Sequence, residues 1–262
     1  MHPVLFRVAG FFVPAYLVAQ LLALGVAALW LHLRRHELDL PASVGLDMTL
    51  LGFLSVFVGG RLASLFRGSS EGLMGLVAPS GFAFVGVLIV AMAGSALYAR
   101  YHQRGVLSVW DAMAPAIPLA LIPYRLGCLA AGCCYGTPSD LPWSIRYPES
   151  WLHYAGGLPR HPVPLYEALL GVACFLVLRR VQFWSGRRLG DVTTAFILVL
   201  APIRFMTDLV REDASLRIAA FTDVVLLTHA QWCCSLGTPI ALIAWSRRSR
   251  AQVVAAQDPS AP

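Results

Sequence analysis

The sequence contains no lysine: all 20 of its basic residues are arginine. Charge of either sign is scarce, at 13% of residues against about 25% in an ordinary soluble domain. With 58% of residues from the apolar and aromatic set and a mean hydropathy of +0.67, the composition excludes the soluble-enzyme, collagen-like and disordered classes. No Cys-x-x-Cys motif, strict repeat or low-complexity tract occurs. The six cysteines lie in or beside apolar segments, so their count implies no disulfide framework. Ligand spacing typical of zinc is missing, and neither a metal nor a cofactor is assigned. The net charge of +6 reads as membrane orientation, with no nucleic acid among the expected partners.

What the sequence has is long uncharged runs. At ~20 apolar residues per span, 262 residues leave room for six or seven crossings. The runs fall at 10–31, 44–65, 73–99, 109–129, 163–178, 192–209 and 224–245; the first is too long for the apolar region of a cleavable signal peptide. The expected fold class is therefore an all-α integral membrane protein of about seven transmembrane helices. One polytopic domain covers 1–250, and 251–262 is a disordered cytoplasmic tail. Orientation follows from the arginines. With the N-terminus outside, Arg34, Arg35, Arg100, Arg104, Arg179, Arg180, Arg187, Arg188, Arg247, Arg248 and Arg250 fall inside. Only Arg7, Arg67, Arg146, Arg160, Arg211 and Arg217 fall outside, so the positive-inside rule selects an outer N-terminus and a cytoplasmic C-terminus. The long connection 132–162 then lies on the outer face, and a loop of that length is usually functional.

Ionisable residues within spans are costly and mark functional sites. They are Asp47, Arg61, Asp111, Arg125, Glu167, Arg204 and Asp208. Asp47 and Asp111, near span ends, read as glue between helices. Arg125 and Arg204 lie toward outer ends, where guanidinium forks match phosphate oxygens. Asp208 is four residues after Arg204, on one helical face, and Arg211 extends that face; a purely structural Arg204–Asp208 pair is the bland alternative. Arg61 follows a glycine pair and reads as an interface anchor or a headgroup contact. Around Tyr124–Pro138, the run YRLGCLAAGCCYGTP combines Arg125 with Gly136 and with Cys128, Cys133 and Cys134, in a backbone-permissive turn suited to a polar headgroup. The run RHPVPLYEALL supplies His161, Tyr166 and Glu167, of which His161 is the best-placed imidazole for proton transfer.

In order and spacing, LSVFVGGRL, YRLG...GCCYGTP with DLPW, RHPVPLYEALL and IRFMTDLVRE resemble the bacterial prolipoprotein diacylglyceryl transferase family. The resemblance implies a multi-pass enzyme of the bacterial cytoplasmic (inner) membrane. Its partners would be phosphatidylglycerol, the lipid bilayer and a prolipoprotein signal peptide with its lipobox cysteine. The diacylglyceryl group moves to the cysteine thiol as a thioether, and glycerol phosphate leaves. By the same resemblance Arg125 and Arg204 are the two essential arginines, and Arg61, Gly136, His161, Tyr166, Glu167 and Arg211 fall on motif positions. The chain departs from the family pattern at several places. Val85 stands where a His-Gly-Gly histidine is usual, Cys128 and Cys133 replace an Asn and a Glu, and Asp208 replaces a Glu. Ala9 or Gly10 occupies the region of a first-span tyrosine.

Removing the proton of the attacking thiol and stabilising a leaving phosphate are separate demands. Arg125 and Arg204 meet the second; His161, Glu167, Asp208 or a thiolate of the cysteine cluster are the candidates for the first. Two other readings follow from the departures. One is a catalytically altered paralogue that binds anionic lipid or lipoprotein precursor. The other is a membrane thiol redox protein built on Cys128, Cys133 and Cys134, against which vicinal cysteines make strained disulfides. Cys174, Cys233 and Cys234 read as small packing residues.

Overall fold

The computed structural model describes residues 4–8, 11–59, 83–147, 157–211, 217–219, 226–228, 231, 234–243 and 245–247. Arg61, Cys233 and the 251–262 tail lie outside the described residues, as do the side chain of Val85 and the positions of Ala9 and Gly10. The chain is mostly helical. A hairpin of β1 (Val4–Val8) and β2 (Phe11–Pro14) leads into α1 (Ala15–Leu33), then α2 (Val44–Leu54), which a π turn extends over Ser55–Gly59. After α3 (Ala83–Tyr101) come α4 (Val106–Met113) and α5 (Ala116–Ala131). Two-residue strands β3 (Ile145–Arg146) and β4 (Pro159–Arg160) pair antiparallel within the long connection. Then follow α6 (Val163–Gln182), α7 (Asp191–Val210), a hairpin of β5 (Arg217–Ala219) with β6 (Leu226–Thr228), and helical turns over 234–243.

Two of these helices, α1 and α7, are long and apolar enough to cross a membrane, and α4 with α5 makes a third if the pair, bent by 41°, counts as one span. The expectation of a helical fold holds in its coarser form, and three short two-stranded ribbons accompany the helices. The run 10–31 begins helix only at Ala15, because Phe11–Pro14 belongs to β2. The run 109–129 breaks between Met113 and Ala116, where Pro115 lacks the N–H that would continue the ladder. The run 224–245 is no single helix, since β6 occupies part of it.

Along α1, Ala15, Ala19 and Ala23 are buried, whereas Leu17, Leu21, Leu22 and Leu29 are about half exposed. Small residues inside and leucines outside is the inverse of a water-soluble helix, and matches packing in lipid, where small side chains let backbones approach. A Cβ on Gly127 of α5 would stand 2.0 Å from that of Ala19, so α1 and α5 meet through an Ala–Gly contact that any larger residue would part. At the far end Leu31 of α1 shares a cluster with Ala116, the first residue of α5, so the two helices run antiparallel. Helices α6 and α7 alternate in the same way: Cys174 and Leu178 pack with Val192, while Glu167 meets Arg204. One end of the bundle thus collects the start of α1, the end of α5, the start of α6 and the end of α7.

Asp111 joins α4 to α7 at the opposite end. Its buried carboxylate accepts the Gly190 N–H at 2.6 Å and the Thr193 N–H at 2.8 Å, satisfying donors that the first turn of α7 leaves unpaired. Asp111→Ala is expected to destabilise the protein by about 2–3 kcal/mol, read as a lower unfolding midpoint in detergent, with Asp111→Asn between the two. An unchanged midpoint in the alanine variant would remove this capping role. Asp47, by contrast, accepts from the Ser43 hydroxyl at 2.7 Å and stands 4.0 Å from His102.

Candidate active site

The end where α1, α5, α6 and α7 meet carries a cluster of largely buried charges. Arg125 sits two residues after Pro123 in α5, and Arg204 two residues after Pro202 in α7. In both helices an internal proline loosens the backbone ladder one turn before the cation. Between them stands Glu167 of α6, 3% exposed. Its Oε2 lies 2.9 Å from Arg125 Nε, its Oε1 accepts from Arg204 Nη1, and Arg211 Nη1 approaches Oε1 at 4.0 Å. The Thr207 hydroxyl donates to the same Oε1 at 3.4 Å. Asp208, also 3% exposed, meets Arg204 Nη2 at 2.8 Å through one helical turn.

The sequence expectation of an Arg204–Asp208 pair on one face is met, and Arg125, Glu167 and Arg211 join the same cluster. Three guanidinium groups face two carboxylates there, so the cluster keeps one net positive charge in a nearly dry setting. Such a site attracts an anion, and low polarity strengthens the attraction. Both oxygens of Glu167 face guanidinium groups, which makes it the post that positions the arginines.

The segment after α5 threads between α6 and α7. Gly136 N–H donates to His161 O at 2.9 Å, Thr137 N–H to Val210 O at 2.9 Å, and His161 N–H to Thr137 O at 3.2 Å. Gly136 also bridges to Arg211 and Pro138 to Arg160. A Cβ at Gly136 would stand 2.7 Å from both Val210 O and His161 Cβ; glycine is required here for close approach, and the approach fixes Arg211 and His161 relative to each other. On the other side of this thread, His161 Nδ1 lies 3.3 Å from the Tyr166 hydroxyl, which accepts the Trp143 indole N–H at 2.7 Å. Among the described residues, His161 is the histidine at this end of the bundle; His32 and His102 lie at the other, on the last turn of α1 and just beyond α3.

Cys128, Cys133 and Cys134 also converge here, with their Sγ atoms within 4.8 Å of one another. Hydrogen bonds from Cys128 and Cys133, together with the nearby Arg211 and Arg125 charges, hold the Cys134 thiol below its ordinary range. Cys174 is a fully buried packing residue between α6 and α7.

Four contributors escaped the sequence reading. Arg160, taken as one of the outer-loop cations, is buried, lies over the Tyr135 ring at 4.9 Å and donates to Gly136 O at 3.3 Å. Thr207 belongs to the Glu167 network, and its spacing of three from Arg204 was the available signal. Trp143 lies within the DLPW motif but was not assigned a role. The Tyr16 hydroxyl lies 3.3 Å from that of Tyr124, beside Arg125, and nothing in its local sequence announces this.

The family profile described as prolipoprotein diacylglyceryl transferase matches residues 3–247. A phosphatidylglycerol--prolipoprotein diacylglyceryl transferase of Methylococcus capsulatus is 33% identical over 244 residues, covering 86% of this chain and 89% of that protein. The proteins of the same name from Chromohalobacter salexigens and Idiomarina loihiensis are 35% and 31% identical, over 85% and 88% of this chain and 84% and 87% of theirs. Matched across nearly its whole length, the chain belongs to the prolipoprotein diacylglyceryl transferase family.

Proposed function

We propose that this protein transfers the diacylglyceryl group of phosphatidylglycerol to the lipobox cysteine of a prolipoprotein. The observation that carries the proposal is the convergence of Arg125, Arg204 and Arg211 on Glu167, a preorganised cationic site at one end of a lipid-facing bundle. In the reaction the cysteine sulfur attacks the glyceryl carbon, a C–S bond forms, and the C–O bond to phosphate breaks. The electron pair of that bond goes to the phosphate, whose charge rises from about −1 to −2 as glycerol phosphate leaves. Arg125 and Arg204 bind the phosphate and gain most from it when that second charge develops, which lowers the barrier and not merely the binding energy. Glu167 and Asp208 hold the guanidinium groups in place, and Arg211 adds charge at the rim. Gly136 and Tyr166 shape the headgroup site, and Arg61 contributes to lipid contact. His161 takes the thiol proton, with its ring oriented by the Tyr166 hydroxyl.

The proposed setting is the bacterial inner membrane, crossed seven times, with the arginine cluster toward the outer leaflet. In support, Arg34 and Arg179 lie 5.2 and 5.8 Å from the Trp30 ring centre at the opposite end, where the positive-inside rule places the cytoplasm. A topology reporter fused after Pro262 is expected to give a cytoplasmic signal; an external one would overturn the orientation. The function itself is tested in a bacterium depleted of its own diacylglyceryl transferase. Expression of this chain should restore thioether-linked lipid on prolipoproteins, and continued accumulation of unmodified precursor, with the protein present in the membrane, would contradict the proposal.

A further inference from the structure

The transfer chemistry uses no thiol of this chain, yet three thiols meet beside the arginines. Cys128 comes from the last turn of α5, and Cys133 and Cys134 from the turn that follows. A straight helix would carry residues five and six positions on away from Cys128. Here the chain reverses after Ala131, and the Cys133 N–H returns to Cys128 O at 3.0 Å. Cys134 adopts φ 59, a left-handed conformation that costs a side-chain-bearing residue about 1–2 kcal/mol. The residue under strain is the one that completes the group of three. All three are free thiols, Cys128 buried and the others half-buried.

The geometry points to a binding site for one soft monovalent cation of the Cu(I) class, held by the sulfurs of Cys128, Cys133 and Cys134. Thiolates select soft ions, and the group consists of sulfur alone. Its number of ligands narrows the choice further. Structural zinc and iron–sulfur clusters call for four protein ligands, whereas the described residues supply three, which fits a three-coordinate ion. Three sulfurs at ~2.3 Å from one ion in a plane stand about 4 Å apart; the observed separations of up to 4.8 Å close to that by side-chain rotation. Loading forms three metal–sulfur bonds and releases to solvent the protons that the thiols still carry. The resulting double negative charge lies near Arg125 and Arg211, both of which interact electrostatically with Cys134. A bound ion would pin the turn before Gly136 to the end of α5. The inference does not rest on the transferase reading, because its readout is metal binding.

The test uses the full chain, purified in detergent, reduced and kept anaerobic, titrated with Cu(I) against a chromophoric Cu(I) chelator. One equivalent is expected to bind, with three sulfurs and no lighter ligand around copper by X-ray absorption. Cys128→Ser, Cys133→Ser and Cys134→Ser should each weaken binding at least about tenfold, while Cys174→Ala keeps it. Because a serine variant could fail to fold, a second readout uses the unaltered chain: Cu(I) should protect Cys133 and Cys134 from alkylation, scored by mass. Binding that survives the triple serine variant, a copper shell containing nitrogen or oxygen, or chelator-resistant binding and thiol protection both being absent would each overturn the site.

Discussion

Arg125→Ala and Arg204→Ala are each expected to lower diacylglyceryl transfer at least about a hundredfold while the protein stays folded in the membrane. Removing one preorganised donor from a site of developing negative charge typically costs 10²–10³ in rate, about 3–4 kcal/mol. Both arginines belong to such a site. Arg125 is 9% exposed and faces Glu167, and Arg204 bridges Glu167 and Asp208. Water that fills the deleted side chain's place does not restore an oriented charge. Lysine at either position should recover only part of the loss, since an ammonium is a point charge without the planar fork that meets two phosphate oxygens. Rates are compared by radiolabelled phosphatidylglycerol transfer at equal protein, with elution in detergent as the folding control. A fully active alanine variant would remove that arginine from the phosphate clamp.

Glu167 separates positioning from proton transfer. Glu167→Ala leaves three guanidinium groups facing one remaining carboxylate in a buried setting, and losing one partner of such a network costs about 3–5 kcal/mol. A fall of several degrees in the unfolding midpoint is expected, along with loss of transfer. Glu167→Gln keeps the shape and one acceptor oxygen but not the charge. Its transfer rate should fall about tenfold to a hundredfold, the equivalent of one charge-assisted hydrogen bond, with the shape of the pH–rate profile unchanged. Were Glu167 the base, the glutamine variant would instead lose an ionisation limb from that profile. The unchanged profile is the expected result, because both carboxylate oxygens already face arginines.

Much of this was readable from residue order alone. Arg204 and Asp208 are one helical turn apart, so their pairing needs only the helix. That Arg125 and Glu167 share it requires α5 and α6 to be adjacent and antiparallel, which residue spacing does not supply. Apolar runs marked most helices but not their limits: hydropathy is blind to whether an apolar residue is in a helix or a strand, so β2 and β6 were absorbed into spans. The break at Pro115 had a visible signal in the proline itself. The burial of Arg160 was not legible because a cation in a loop reads as solvated, whereas here contacts with Gly136, Pro138 and the Tyr135 ring cover it. The cysteines were noticed as a cluster in sequence, yet the approach of Cys128 to its successors depends on the reversal after α5 and on the left-handed Cys134, a conformation that cysteine rarely adopts and so does not announce.

Purified protein, phosphatidylglycerol and a lipobox peptide are sufficient for the most direct test. The mass of the peptide's cysteine after incubation should increase by one diacylglyceryl group in thioether linkage, with glycerol phosphate released in equal amount. A peptide that stays unmodified while the protein is folded and binds phosphatidylglycerol would contradict a transferase and leave a lipid-binding relative in its place.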